Sequence, residues 1–398
     1  MNFIDLFAGC GGLSEGFYQE GFNCLTHVEI DKYACITLKD RMKFYDYSDD
    51  HIKKAVLELD ITSSKSLDMI KNSVNNKTVD LIIGGPPCQS FSTLGRARDP
   101  EGMKNDHRNY LFEEYVNILD YFKPKIFVFE NVLGLLSAKL GKQKTIDVIL
   151  KKLGENYKLL DKPEDMVLNS SNYGVPQERK RIIILGVRKD LNIDVKSVYK
   201  RIIKTHYSLD DEKLGINTDL IKYRTVKDAI YDLPKLLPGE GKEKLEYKSD
   251  YSNEFLKLIK DDSSDYIYNH NARSHNMEDQ ERYKLMAKNK WTFNELLSNV
   301  PKLNHENPRI FSNSYVVQNW EYPARTIISH LYKDGNQFIH PDYKQHRTLT
   351  AREAARLQSF PDNFVFSVSR TQQYKQIGNA VPPLMARAIA KAIKDILT

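Results

Sequence analysis

The chain is short of cysteine and has no long apolar run. Its four cysteines, Cys10, Cys24, Cys35 and Cys88, lie among 398 residues with neither metal-ligand spacing nor the density of a disulfide scaffold. Free thiols in a reducing compartment are expected, with Cys24 and Cys35 as core filler. No stretch approaches the ~20 apolar residues that span a bilayer as a helix. The first strand-like run begins at Asn2, which leaves no room for a signal peptide, so a cytoplasmic location is expected. Internal repeats and low-complexity tracts are lacking. No sign of charge dominates: 59 basic against 53 acidic residues give +6. That balance suits an ordinary lysine-rich surface as well as a face for a polyanion.

What is present reads as an enzyme of one large domain and a smaller one, since 41% hydrophobic residues suffice for a sizeable core. Residues 1–190 alternate apolar runs with amphipathic segments, the pattern of βαβ units and a mostly parallel sheet. Strands are expected at Asn2–Phe7, Cys24–Ile30, Leu57–Ile61, Val79–Ile83, Lys125–Glu130 and Arg181–Val187. Helices are expected at Gly12–Glu20, at Asp31–Met42 with Asp31 as N-cap, and at Tyr110–Phe122. After Arg188 the alternation fades into a Tyr-, Asn-, Lys- and His-rich stretch, read as a separate unit over 191–345. Patterning returns with a capping box, Thr350 to Glu353, and a last helix from Pro382-Pro383, so 346–398 is expected to complete the first domain.

Five strand ends carry chemistry. Phe7-Ala8-Gly9-Cys10-Gly11-Gly12 offers a tight turn before a helix, yet not the G-x-G-x-x-G spacing of a pyrophosphate site. Glu29 and Asp60 end the next two strands, where acids serve either as helix caps or as acceptors for a ribose and an adenine amino group. Pro86-Pro87-Cys88-Gln89 follows the fourth strand and Glu130 ends the fifth, placing a thiol and an acid on one sheet edge. A thiolate there is a nucleophile for an electron-poor ring or carbonyl. Gln177-Glu178-Arg179-Lys180-Arg181 opens the sixth strand.

In this order, and followed by Arg347 to Gln358 and Gln376-Ile377-Gly378-Asn379-Ala380-Val381-Pro382-Pro383, these motifs closely resemble those of the cytosine-C5 DNA methyltransferases of bacterial restriction–modification systems. The resemblance implies a Rossmann-like α/β domain binding S-adenosylmethionine (product S-adenosylhomocysteine), a smaller irregular target-recognition domain over 191–345, and duplex DNA in the cleft between them. On matching positions, Phe7 would pack on the adenine and Gly9 and Gly11 would lie by the methionine part. Glu29 would hold the ribose and Asp60 the adenine amino group, with Pro87, Asn379 and Val381 completing the pocket. Cys88 would attack C6 of a flipped cytosine, Glu130 would stabilise N3, and Arg181 would lie near O2 with Gln177 and Arg179 ordering the site. The segment Thr93–Asn109 has the makings of a closing loop, so Gln89, Ser92, Arg96, Arg98 and Arg108 are expected to contact DNA, joined by Arg273 and Thr326 from the insert. A monomer without metal or membrane partner is expected, in genetic association with a cognate endonuclease. A dinucleotide oxidoreductase would need no Pro-Pro-Cys, and an amino-group methyltransferase would not place Gly85 before it and Cys88 after. An RNA-acting relative differs by its substrate.

Overall fold

The computed structural model describes residues 1–87, 111–140, 143–216, 219–261, 263–304 and 314–398. By internal contacts the chain divides into two compact units, the first made of Met1–Asn169, Lys180–Lys204 and Pro383–Thr398, the second of Ser170–Arg179 and Thr205–Pro382.

The first unit is built on a sheet whose long strands run in the order β3, β2, β1, β4, β5, β6: Val56–Glu58, Asn23–Glu29, Asn2–Leu6, Leu81–Gly84, Ile126–Val132 and Lys180–Arg188. Nearly unbroken apolar runs such as Leu81-Ile82-Ile83 form strands buried on both faces. The first five pair in parallel, with the chain reversing direction across the sheet between β1 and β4. β6 pairs antiparallel to β5. That reversal matters, because β6 begins at the edge where β5 ends.

Local chemistry sets the helices. Helix α1 (Gly12–Gln19) starts from Gly11 at φ 87, and the chain leaves it through Gly21 at φ 80, conformations glycine adopts without Cβ strain. Helix α2 (Lys32–Phe44) is capped by Asp31, whose carboxylate accepts from the N–H groups of Tyr33 and Ala34. The last helix, α3 (Pro383–Leu397), buries Met385, Ile389 and Ile393 and lies against α1. Cys10, Cys24 and Cys35 are buried, as core filler would be.

The second unit centres on the helix Ala351–Leu357, opened by the expected Thr350–Glu353 capping box. Three arginines on or before it are buried and spent internally. Arg347 makes a bidentate pair with Glu353 at 2.7 and 2.8 Å. Arg352 donates to the carbonyls of Tyr268 and Phe364, and Arg356 bridges Asp232 and Asp362 at 2.6 and 2.7 Å. The Arg347–Gln358 motif is therefore a packing hub.

These bonds move the boundaries from the expected 190 and 345. The chain stays with the sheet to Lys204 because the Tyr199 hydroxyl donates to Ile183 O and accepts from Leu185 N. Residues 346–382 stay with the second unit because their arginines are satisfied there. Among the described residues, no helix is long and apolar enough to cross a membrane.

Candidate active site

At the carboxyl edge of the first unit's sheet, β1 turns sharply. Phe7 takes φ 59 and Gly9 φ 55, and a bulky aromatic in the left-handed region is a strained conformation of the kind found at functional sites. The turn delivers the Gly9 N–H to Glu29 Oε2 at 2.7 Å, while Asp31 N–H donates to Oε1 at 2.8 Å. Burial raises the pKa of Glu29 and these two N–H groups oppose the shift. Each Glu29 oxygen still has a lone pair to accept a hydroxyl. A Cβ at Gly9 would meet nothing within 4 Å, so open space faces the turn. Asp60 lies exposed two residues beyond β3 and uses Oδ1 on the Thr62 N–H and hydroxyl at 3.0 and 2.8 Å. The edge thus offers a glycine turn and two acids on successive strand ends, a donor set that fits an adenosine-containing cofactor.

Further along the edge, β4 leads into Gly85-Pro86-Pro87. The register pairs Gly84 with Phe129, which sets Gly85 beside Glu130. A Cβ on Gly85 would sit 2.7 Å from Glu130 Oε2, so only glycine lets the carboxylate come this close. Asn131 turns its amide to Pro86 O at 3.1 Å and accepts from Val132 N with its oxygen at 2.8 Å, tying the Pro-Pro turn to β5. From the start of β6, Arg181 sets Nε 2.9 Å from Glu130 Oε1. Burial lowers the pKa of this arginine, and Glu130 works against that shift. Pro87 is partly buried at the end of the turn. Cys88, Gln89, Ser92, Arg96, Arg98 and Arg108 lie outside the described residues, as does the expected closing loop 93–109.

The second unit holds the other expected residues. Gln177 is fully buried, and its amide donates to Leu357 O at 3.1 Å and Gln358 Oε1 at 2.9 Å while accepting from Ile327 N at 2.7 Å. Arg179 donates to Ile327 O at 2.6 Å and Gly378 O at 3.1 Å. The Thr326 hydroxyl donates to Glu178 O at 2.6 Å. These three side chains stitch the segment before β6 to residues 324–327. Arg273 is buried over the Tyr374 ring and donates to Lys333 O at 2.6 Å and to Leu331 O, so its guanidinium is committed to the unit's own carbonyls rather than offered to a base edge. His270 is buried between Thr350 Oγ1 at 3.0 Å and Pro234 O at 2.8 Å. Asn379 is exposed at the end of its helix and Val381 is buried just after.

The parts that sequence reasoning left without a role are Gly85 and Asn131, both visible in the motifs. Their roles depend on strand register, which local pattern does not carry. No group of three or more His, Cys, Asp or Glu among the described residues is arranged to hold a metal.

Residues 1–395 match the family model described as C-5 cytosine-specific DNA methylase. The chain is 36% identical to the type II methyltransferase M.Bpa9945I of Bacillus paralicheniformis, covering 100% of this chain and 99% of that one. It is 35% identical to the type II methyltransferase M.DdeI of Desulfomicrobium norvegicum, covering 99% and 88%. Among solved structures, an E. coli prophage-encoded protein assigned as a DNA modification methyltransferase superposes with a TM-score of 0.72 at 26% identity, over 100% of this chain and 99% of that one.

Proposed function

The chain belongs to the C-5 cytosine-specific DNA methylase family and is a DNA cytosine-5-methyltransferase; from that premise we propose how its own residues act. The cofactor implied by family and fold, S-adenosylmethionine, supplies an electrophilic methyl group on a sulfonium. Phe7, Gly9, Gly11, Glu29, Asp60 and Pro87 would hold it at the sheet edge, and the motif resemblance assigns Asn379 and Val381 to the cofactor as well. Glu29 would take the ribose hydroxyls on its remaining lone pairs, and Asp60 would take the adenine amino group.

Cytosine C5 is a weak nucleophile, and Cys88 corrects this. Its thiolate adds to C6 of a cytosine turned out of the duplex, forming an S–C6 bond and moving the ring's electrons toward C5 and N3. Glu130 meets the charge arriving at N3 through Oε2, the oxygen that faces Gly85, while Arg181 holds Oε1. Arg181 would reach the base's O2. Gln177 and Arg179 act at a distance, fixing the segment from which Arg181 emerges. C5 would take the methyl group as S-adenosylhomocysteine leaves, its proton would pass to water, the C5–C6 double bond would reform and the thiolate would depart. The observation that carries this reading is the Glu130–Arg181 pair seated against Gly85 directly before Pro-Pro-Cys.

Gln89, Ser92, Arg96, Arg98 and Arg108 would contact the DNA backbone and the displaced base's surroundings, as would Thr326, and base reading would fall to the second unit. The type II names of the relatives support a role in marking host DNA in a restriction–modification system, paired with a cognate endonuclease. Bisulfite sequencing of DNA from cells expressing the protein tests the whole reading. Protected cytosines at one short sequence are expected; unmodified DNA, or methyl transfer to RNA alone, would overturn it.

A further inference from the structure

Behind the cofactor turn lies a buried polar chain that the proposed mechanism does not use. Asp5 on β1 and His27 on β2 are register partners in the sheet. The Ser14 hydroxyl, in the first turn of α1, donates to Asp5 Oδ2 at 2.5 Å. One turn later on α1, Tyr18 OH lies 2.8 Å from His27 Nε2, and His27 Nδ1 is 3.7 Å from Asp5 Oδ2. All four side chains are at most 6% exposed.

Such a chain is costly to bury, and an apolar set of similar volume would hold a helix on a sheet as well or better. What apolar contacts do not supply is register, since a helix can slide or roll over them. Ser14 and Tyr18 are four residues apart and so share one face of α1. Each is tied to a different strand, which fixes both rotation and translation. The placement is also specific to the turn. Asp5 precedes Phe7 by two residues, His27 precedes Glu29 by two, and Ser14 follows Gly11 by three, so the clamp sits directly beneath the groups read as cofactor-binding.

The charges agree with this geometry. Burial disfavours a charged His27, but the neighbouring Cys24 and Asp5 outweigh it and raise its pKa to about 10. His27 Nδ1 faces the Asp5 carboxylate at 3.7 Å, and Nε2 pairs with the Tyr18 hydroxyl.

We propose that His27 is a positioning residue for cofactor binding: with Asp5, Ser14 and Tyr18 it locks α1 in register and thereby sets the Phe7–Gly11 turn against Glu29. The inference rests on reading that turn as the S-adenosylmethionine site. Calorimetric titration of the full chain with S-adenosylhomocysteine tests it, using wild type, His27→Gln and Ser14→Ala, alongside steady-state methyl transfer. Both variants are expected to weaken binding by roughly 10-fold and raise KM for the methyl donor in step, with kcat at saturating donor and DNA affinity within about 2-fold. Should His27→Gln fail to fold, Ser14→Ala, which removes one hydroxyl, carries the comparison. A lowered melting temperature with unchanged affinity and KM would reduce the cluster to a core element and overturn the proposal. A wild-type chain that does not bind S-adenosylhomocysteine would overturn the cofactor reading as well.

Discussion

Arg181 reaches Glu130 diagonally across the antiparallel pair of β6 and β5, Nε to Oε1 at 2.9 Å. The contact exists because β6 enters the sheet at the edge where β5 leaves it. An acid late in a parallel strand thereby gains a cation from the first residues of a reversed one. Replacing Glu130 with Gln keeps the shape but removes both the charge and any proton it gives to N3. kcat is expected to fall by roughly 10²–10⁴-fold, with S-adenosylmethionine affinity largely retained. Transfer of labelled methyl to cognate DNA, with calorimetry for the cofactor, checks the split.

Gly85→Ala probes the same carboxylate from the other side. The added Cβ would lie 2.7 Å from Glu130 Oε2 and 3.5 Å from its backbone oxygen. The side chain must swing away, and displacement of a catalytic group by about 1 Å can cost ~10² in rate. Single-turnover kinetics should show a loss of that order in the chemical step, with the fold intact by circular dichroism.

Gly16 makes α1 dependent on the far end of the chain. A Cβ there would meet the Arg387 nitrogen at 2.3 Å and the Ala386 carbonyl carbon at 2.4 Å, both backbone atoms of α3 that cannot rotate aside. Gly16→Ala should destabilise the protein by about 1–3 kcal/mol, the usual range for overpacking. Scanning calorimetry reads this as a lowered melting temperature.

Acid should loosen the second unit through its buried histidines. Burial pushes His270 down to about 4, with Glu353 opposing the shift and Arg347 reinforcing it. An unfolded histidine titrates near 6.5, so between those values the unfolded chain binds more protons. This contribution to stability is therefore present above pH ~6.5 and is lost as pH falls toward 4. His270→Gln, which keeps a donor and an acceptor, should flatten the fall in melting temperature over that window; an unchanged slope would assign the acid sensitivity elsewhere.

Much of the first unit was legible because its signals are local. Strands β4 and β5 open on unbroken apolar runs, Leu81–Ile83 and Ile126–Phe129, Asp31 announces its helix, and Thr350 with Glu353 announces another. The direction of β6 was not legible, since a buried apolar run reads alike in either orientation. The unit boundaries were hidden for a related reason: Tyr199 and the arginines Arg347, Arg352 and Arg356 decide them through partners far away in sequence. Arg273 shows the same limit: its residue type suits DNA, but its guanidinium donates to Leu331 O and Lys333 O. The acids Glu29 and Glu130 were legible as candidates, and register alone revealed why Gly9 and Gly85 stand beside them.

If sulfur 88 bonds to the target ring, covalent trapping captures the complex. Duplex DNA carrying 5-fluorocytosine at the methylated position lacks the proton whose loss releases the enzyme. Incubated with the chain and S-adenosylmethionine, it should yield a denaturant-stable complex whose digest carries the modified base on the peptide containing Cys88, and Cys88→Ser should yield none. An active enzyme that forms no adduct, or forms it on another residue, would contradict the account.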